Sequence, residues 1–368
     1  MLESPNLLVT VLAFLLVLGP LVMIHELGHY LVGRLFGVKA DAFSIGFGKE
    51  LTGWTDKRGT RWKLCALPLG GYVQFAGDAN AMSMPEAGAE HEPGSFHGAK
   101  LWRRTLIVLA GPLTNLLFAI AIFFSFNLLY GKIVAAPVIA GFEQGSPAQT
   151  AGLRIGDRIV AVNGAEIVGF SDIRERILPF PGRTVTIGFE REGRRLEAPM
   201  KIADKIERDQ FGNEARIGRI GIAPDPAKTA IVRVGVGEAA ALSVDQSVGI
   251  VRMMVTGIGQ ILTGERSVKE LGGPIKIAKY SGEQFTLGWP QFVWFAALIS
   301  INLAFINLLP IPALDGGHLA FYAAEAIRRR PVGARGQEWA FRTGMAFVLA
   351  LMLFVTINDL VSLNLFGR

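Results

Sequence analysis

Four long apolar stretches, separated by polar segments, dominate the hydrophobic pattern of the chain. The first runs from Leu7 to about Leu35 and carries no charge over its first 18 residues, Leu7 to Ile24. The others are residues 105–130, 292–309 and 339–357. About 20 apolar residues suffice to cross the hydrocarbon core of a bilayer as a helix. The pattern therefore predicts a polytopic α-helical membrane protein with about four transmembrane helices.

Between the first two stretches, apolar and polar residues alternate at a period of two. The segments Phe43–Gly48 and Trp62–Leu67 show this alternation and predict strands, and the glycine pair Gly70-Gly71 follows them. At membrane depth, the polar groups of a strand must be satisfied within the protein or by a wet cavity. We expect a membrane-associated, re-entrant β-hairpin region that is buried in protein or lines such a cavity.

The alternating pattern returns after the second apolar stretch. Strands are predicted at Val138–Phe142, Gly156–Gly164 and Thr184–Phe189, and a last strand at Arg219–Ile222. Asn163-Gly164 is typical of a tight hairpin turn. These elements predict one α+β domain inserted between the membrane helices.

The residues between this domain and the third apolar stretch have a different character. They are moderately apolar, contain Arg252 and several glycines, and are interrupted by Leu271-Gly272-Gly273-Pro274. We expect amphipathic helices that lie against the outer leaflet. The predicted organisation follows in four segments: two membrane helices with the hairpin (1–130), the α+β domain (131–226), the amphipathic helices (227–288) and two further membrane helices (289–368).

Composition and charge define the environment of these segments. Hydrophobic residues make up 51% of the 368, which excludes an ordinary soluble enzyme and makes the lipid bilayer the expected partner. Ten Lys and Arg lie between the first two stretches and four between the last two, whereas residues 1–6 have none. Since basic loops stay in the cytoplasm, segment 131–288 is expected on the outer side. The net charge of +6 reflects this topology, and no nucleic-acid partner is expected.

Residues that can bind a metal occur at the end of the first stretch, in His25-Glu26-Leu27-Gly28-His29. On a helix the two histidines lie one turn apart on one face and can bind one metal ion, while the glutamate can accept a proton from water. Ionisable residues in an apolar span cost about 2–3 kcal/mol each, which favours a functional site. The motif predicts hydrolysis inside a membrane with Zn²⁺ as the cofactor.

A catalytic zinc takes a third protein ligand and leaves one position for water. The first candidate is Asp315, in the segment NLLPIPALDGGH that ends at His318. Its two prolines break the helix after the third stretch, so Asp315 can be presented from a non-helical turn. His318 is the rival candidate for the third ligand. In the alternative interpretation, His318 lies outside the metal site and binds no metal. His91 and His97 lie in a loop without ligand spacing, and we assign them no role.

These motifs together resemble the bacterial site-2 protease family of intramembrane zinc metalloproteases, and most closely its sigma-E regulator protease branch. The resemblance runs over nearly the whole chain and includes HELGHY (25–30), GGY (70–72), GPLTN (111–115), GGP (272–274) and NLLPIPALDGGH (307–318). It implies that His25, His29 and Asp315 bind zinc and that Glu26 is the general base.

The resemblance also implies a substrate class and a location. Asn307 would hold or polarise the substrate backbone, and Asn115 either contacts substrate or forms a hydrogen bond between helices. Substrates would be single-span membrane proteins already shortened by another protease, such as anti-sigma factors, or remnant signal peptides. A substrate helix would unwind locally and pair with the Phe43–Phe75 hairpin region. The implied process is regulated intramembrane proteolysis in the bacterial inner membrane.

The inserted domain carries a second resemblance. Residues 145–164 match GSPAxxAGLxxGDxIxxVNG and resemble a PDZ domain, a fold that adds extended peptides to a sheet edge. Ile220, Gly221 and Ile222 would then form the peptide-binding loop, as in permuted bacterial PDZ domains; a terminal strand without a ligand is the alternative. The best-known members of the branch carry two PDZ domains in tandem and this sequence shows one. The resemblance implies that a periplasmic PDZ module filters substrates by size.

Two other functions remain open from the sequence. One is a membrane metallopeptidase for protein quality control, which degrades misfolded or soluble proteins at the cytoplasmic face. It would need an open site, whereas the predicted ligands come from two apolar spans. The other is a non-catalytic membrane scaffold that binds partners through the PDZ module, and the glutamate of the HExxH motif argues against it.

Overall fold

Helices and strands follow one another along the chain in the order that the hydrophobic pattern predicts. The computed structural model describes residues 5–78, 94–208, 214–225, 229–330 and 332–362. Its elements are α1 (Leu7–Leu35), β1 (Ala40–Thr55), β2 (Arg61–Phe75), α2 (Leu101–Tyr130), β3 (Lys132–Ala135), β4 (Gly141–Phe142), α3 (Pro147–Thr150), β5 (Arg158–Val162), β6 (Ala165–Glu166), α4 (Phe170–Ile177), β7 (Thr184–Arg191), β8 (Arg194–Lys201), β9 (Ala203–Arg208), β10 (Glu214–Arg219), β11 (Ile222–Ala223), β12 (Thr229–Val232), α5 (Val236–Leu262), α6 (Pro274–Thr286), α7 (Trp289–Leu308), α8 (Asp315–Arg328) and α9 (Ala334–Ser362).

These elements form two units. The helical unit comprises residues 5–123, 246–251 and 266–368, and the β-rich unit comprises residues 124–245 and 252–265. The helical unit contains the hairpin and both of the segments that carry predicted metal ligands. The β-rich unit contains the PDZ-like sequence.

The four predicted apolar spans are confirmed as the helices α1, α2, α7 and α9. They contain 29, 30, 20 and 29 residues. Within the described part of the chain, these four helices are long and apolar enough to cross a membrane. The side chain of Asn6 starts α1 by accepting a hydrogen bond from the N–H of Val9 at 2.9 Å. Helix α7 ends at Leu308, because residues before a proline such as Pro310 avoid helical geometry.

The predicted hairpin is present as the antiparallel pair β1 and β2, of 16 and 15 residues. Its pairing contains several register shifts along β1. The ring of Tyr30, on α1, lies 5.2 Å from that of Trp62 and 5.8 Å from that of Phe43, centroid to centroid. Such edge-to-face aromatic contacts stabilise a fixed arrangement. The hairpin is therefore anchored to the helix that carries the HExxH motif.

A buried carboxylate fixes the start of α6. Asp359, on α9, accepts hydrogen bonds from the backbone N–H groups of Gly273, at 3.1 and 3.0 Å, and of Lys276, at 3.0 Å. The first N–H groups of a helix have no partner within it, and the helix dipole favours an anion there. The Gly272-Gly273-Pro274 break is thus the point where α9 caps α6. Helix α6 in turn packs against α1, where Gly282 lies close to Thr10.

The β-rich unit is built around an antiparallel sheet with the strand order β6-β5-β7-β8. Alternate side chains of these strands, among them Ile159, Ile187 and Met200, are buried in one apolar core with side chains of α3 and α4. Asn163 and Gly164 both have positive φ, 48° and 76°, which is the hairpin-turn geometry that the Asn-Gly pair predicts.

Three two-stranded ribbons complete the β-rich unit: β3 with β12, β4 with β11 and β9 with β10. The predicted strand over residues 219–222 is wrong in one respect, because β10 ends at Arg219, β11 begins at Ile222, and Ile220 and Gly221 lie between them. Gly221 has a φ of 70°, which interrupts a strand. The β3–β12 ribbon was not predicted, since each of its strands has only four residues and shows no clear periodicity.

Candidate metal centre

Two histidines and one carboxylate converge in the helical unit. His25 and His29 lie one turn apart on α1, each 8% exposed, with their Nε2 atoms 3.2 Å apart. Asp315 places Oδ2 3.1 Å from Nε2 of His25 and 3.4 Å from Nε2 of His29. Among the described residues, these three form the group of side chains that could hold a metal ion. Tertiary structure thus brings together residues from opposite ends of the sequence.

The hydrogen bonding around these atoms fits a cation. Nδ1 of His29 donates to the carbonyl oxygen of Ile107 at 2.8 Å, so a neutral ring presents a lone pair at Nε2. Oδ2 of Asp315 is buried, and among the described residues it contacts Nε2 of both histidines and has no other hydrogen-bond partner. Electron-pair donors in a buried cluster are stabilised when a metal ion lies between them. Ligands about 2.0–2.1 Å from a tetrahedral zinc lie about 3.3–3.4 Å from one another, close to the distances of 3.1–3.4 Å found here.

A sharp turn after α7 brings Asp315 to the histidines. Residues 309–314 are non-helical, and Ala313 has a φ of 89°. A Cβ on Gly316 would collide with the carbonyl oxygen of Leu309, so glycine allows the start of α8 to pack against the end of α7. Asp315 itself is the first residue of α8, whereas the sequence predicted it within the turn.

Helix α2 forms one wall of the centre, and the sequence analysis missed this role. A Cβ on Gly111 would collide with Nε2 of His29 and with Cε1 of His25. The same helix supplies the carbonyl of Ile107 and the side chain of Asn115. A glycine inside a long apolar helix commonly marks a close helix contact, and this was the available signal in the GPLTN motif.

The carboxylate of Glu26 is held by the hairpin. Its Oε2 accepts a hydrogen bond from the backbone N–H of Val73, on β2, at 3.1 Å. No other hydrogen bond to this carboxylate is found among the described residues, so its second oxygen is available to accept a proton. Strand β2, which packs on α1, therefore positions the carboxylate of Glu26. Glu26 is the ionisable residue of the HExxH motif that lies outside the three-residue cluster.

The two other described histidines, His97 and His318, lie outside the three-residue cluster. The ring of His318 packs against those of Phe341 and Tyr322, at centroid distances of 4.9 and 6.4 Å. Burial lowers the pKa of His318 despite the opposing charges of Asp315 and Asp78, so its ring is neutral. His97 lies 2.9 Å from Asp78 through Nε2, and His91 is outside the described residues.

The predicted substrate-binding residues occupy two different units. Asn307 is half-buried in the last turn of α7, in the helical unit with the cluster. Ile220, Gly221 and Ile222 belong to the β-rich unit, where the carbonyl of Ile220 accepts a hydrogen bond from Oγ of Ser146 at 2.9 Å. Asn115 is fully buried, and its Nδ2 lies 3.4 Å from Nδ1 of His25.

Comparison with known proteins places this centre in a family. The model of peptidase family M50 matches residues 13–351. A protein of Agrobacterium fabrum described as a candidate zinc metalloprotease is 45% identical over 96% of this chain and 96% of its own length. A similarly described protein of Rhizobium meliloti is 44% identical over 96% and 97%. The metalloprotease MmpA of Caulobacter vibrioides is 32% identical over 98% and 97%.

Solved structures similar to part of this chain include PDZ domains. The PDZ domain of an SdrC-like protein from Listeria monocytogenes covers 25% of this chain and 85% of its own, at 22% identity and a TM-score of 0.19. That score is too low to establish a shared fold. The family match spans most of the sequence and includes the HExxH motif and Asp315. The chain therefore belongs to peptidase family M50, the site-2 protease family.

Proposed function

We propose that this protein is an intramembrane zinc endopeptidase that hydrolyses peptide bonds in or near the transmembrane segments of single-span membrane proteins. The observation that carries the proposal is the convergence of His25, His29 and Asp315 in the helical unit, on and beside helices apolar enough to cross a bilayer. Buried ionisable groups in such helices are costly and are retained for function.

His25, His29 and Asp315 would hold the zinc through two Nε2 atoms and one carboxylate oxygen. The chemistry of this donor set and the distances between its atoms support zinc, as do the names of the relatives. When bound, zinc supplies Lewis acidity, which lowers the pKa of a water towards about 7 and polarises a peptide carbonyl. Three protein ligands leave the fourth tetrahedral position for this chemistry.

Glu26 acts as the general base in the proposed reaction. The hydrogen bond from Val73 holds one carboxylate oxygen, and the other accepts a proton from the attacking water. Glu26 then donates this proton to the nitrogen of the scissile bond as that bond breaks. The burial of the cluster limits access of bulk water, which strengthens each of these electrostatic interactions.

A helical substrate must expose its backbone before it is cleaved, because its carbonyls are already hydrogen-bonded. We infer that the unwound segment pairs with the β1–β2 hairpin and that Asn307 contacts its backbone, as the resemblance implies. The substrates are proposed to be pre-trimmed single-span proteins, such as anti-sigma factors, and remnant signal peptides. The basic loops support a cytoplasmic side near the HExxH motif, an inner-membrane location and a periplasmic PDZ module.

The proposal is tested by zinc analysis and by cleavage of a defined reporter with the purified protein in detergent or liposomes. We expect one zinc per chain and cleavage of a single-span reporter, with activity lost on treatment with a strong chelator and restored by added zinc. An unfolded soluble protein serves as the comparison substrate. Preferred cleavage of the soluble protein would favour the quality-control function. Zinc-free protein without cleavage would favour a scaffold.

Removal of the PDZ-like module is expected to alter substrate choice and to leave the chemistry intact. The β3–β12 ribbon offers a junction for this deletion, because Ala135 and Thr229 are paired neighbours that a short turn can join. The deleted protein should still cleave a trimmed single-span substrate and should also cleave a version with a bulky outer domain. The measurement compares both substrates with full-length and deleted enzyme in the same membrane.

The zinc content of the deleted protein is the control for this comparison, since it reports whether the helical unit remains folded. Loss of trimmed-substrate cleavage in a zinc-loaded deletion would mean that the module positions substrate. The size-filter role would then have to be abandoned, while the proposed zinc chemistry would be unaffected.

A further inference from the structure

We propose that Asn115 is a positioning residue that orients the zinc ligand His25 by accepting a hydrogen bond from its Nδ1–H. This inference rests on the proposed zinc endopeptidase function. Asn115 is fully buried on α2, and its side-chain amide is 3.4 Å from Nδ1 of His25. A buried amide beside a metal-ligating ring either supports the ligand or only joins two helices, and the protonation of the ring distinguishes these roles.

The geometry of the cluster determines which nitrogen of His25 carries the proton. Nε2 of His25 lies 3.1 Å from Oδ2 of Asp315 and 3.2 Å from Nε2 of His29, so Nε2 is the atom that faces the metal position. A ligand nitrogen must present its lone pair, and a neutral imidazole then carries its hydrogen on Nδ1. Only a hydrogen-bond acceptor can satisfy Nδ1–H at this buried position.

The amide of Asn115 has such an acceptor available. Its Oδ1 is buried and has no hydrogen-bond partner among the described residues, while Nδ2 is the atom next to Nδ1 of His25. Rotation of the amide by about 180° exchanges two groups of almost equal size, so that Oδ1 then accepts from Nδ1–H. This rotation removes the contact between two donors, Nδ2 of Asn115 and Nδ1–H of His25, that zinc binding at Nε2 would otherwise create.

The second histidine of the motif shows the same arrangement. Nδ1 of His29 donates to the backbone carbonyl of Ile107 at 2.8 Å, which leaves its Nε2 as the ligand atom. Helix α2 therefore supplies an acceptor to each ring, from the backbone for His29 and from a side chain for His25. Asn115 is itself held in place, because its backbone carbonyl accepts a hydrogen bond from Oγ of Ser300, on α7, at 2.8 Å. Partners of this kind fix the ring and its tautomer in zinc sites.

The test measures zinc affinity directly, by competition with a chromophoric chelator, in a Glu26→Gln parent that cannot cleave substrate. Asn115→Leu removes the acceptor at similar volume and should weaken zinc binding by about 10–100-fold. Asn115→Asp keeps an acceptor oxygen in the same place and should bind zinc within about threefold of the parent or more tightly.

Thr105→Val is the matched control, because the hydroxyl of Thr105 donates to the carbonyl of Leu101 within the same helix. It should not change zinc affinity. Elution of each variant as a single species in detergent checks its folding. If Asn115→Leu binds zinc as the parent does, or if Asn115→Asp fails as badly as Asn115→Leu in folded protein, the positioning role is wrong.

Zinc binding by the Glu26→Gln parent distinguishes failure of this inference from failure of the proposed function. Zinc binding by the parent and its loss in His25→Ala would support the metal centre, whatever the Asn115 variants do. A folded parent that binds no zinc, together with a wild-type protein that binds none either, would overturn both the proposed function and the role of Asn115. A zinc-binding parent with an unaffected Asn115→Leu variant would overturn the role of Asn115 alone.

Discussion

Replacement of Glu26 by Gln is expected to leave zinc bound and to reduce peptide-bond cleavage by at least about 10²-fold, to the limit of detection. The amide has the shape of the carboxylate, and its oxygen can still accept the hydrogen bond from the N–H of Val73. It cannot accept the proton of the attacking water at neutral pH. Zinc analysis and reporter cleavage on one purified sample measure both quantities.

Glu338→Gln is the matched control for this prediction, since it makes the same chemical change at an exposed ion pair with Arg342, on α9. It should retain both zinc and activity, because exposed ion pairs contribute about 0–1 kcal/mol. Near-normal cleavage by the Glu26→Gln protein would show that another group takes the proton. Loss of zinc from the Glu26→Gln protein would show that Glu26 has a structural role at the centre.

Asp315→Asn is expected to lower zinc affinity by about 100-fold or more and to remove activity. The substitution keeps the size of the side chain but replaces an anionic ligand with a neutral amide. Oδ2 of Asp315 lies between the two histidines, 3.1 Å from Nε2 of His25 and 3.4 Å from Nε2 of His29, which is the position expected of a shared metal ligand. Zinc retained after dialysis against a weak chelator, together with reporter cleavage, measures the effect.

His318→Ala is the comparison that decides between the two candidate third ligands. His318 is three residues from Asp315, and its ring packs against Phe341. The substitution should lower stability through lost packing while zinc affinity stays within about threefold, because no zinc ligand is removed. If His318→Ala empties the site and Asp315→Asn does not, the assignment of Asp315 is wrong.

Local patterns were sufficient to predict most elements of the helical unit. The apolar stretches form helices because a helix satisfies its backbone hydrogen bonds within itself, as a hydrocarbon layer requires. Each stretch is also long enough to cross such a layer. The i, i+4 spacing of His25 and His29 predicted two ligands on one face. The alternation on either side of residues 56–60 predicted the hairpin, and the two prolines predicted the end of α7 near Leu308.

Predictions were weaker where short segments depend on distant partners. The β3–β12 ribbon joins residues separated by more than 90 positions, and neither strand has a pattern of its own. Asp359 caps α6 from a helix that follows it in the sequence, so neither segment alone indicates the contact. Gly221 interrupts the predicted strand because its φ is positive. The apolar residues on either side, Ile220 and Ile222, are also typical of a continuous strand, so the sequence did not indicate the interruption.

The sequence by itself determined the family, the four long apolar helices and the residue types that can bind zinc, because these depend on the order and spacing of neighbouring residues. Tertiary structure decided between the two candidate third ligands, since the sequence places Asp315 first with His318 as its rival, and the structure puts Asp315 within 3.4 Å of Nε2 in both histidines. It also decided the roles of Gly111 and Asn115. Those roles arise from the packing of α1 against α2: Gly111 signals a close helix contact in the sequence, but its partner is distant in the chain and only the structure identifies it.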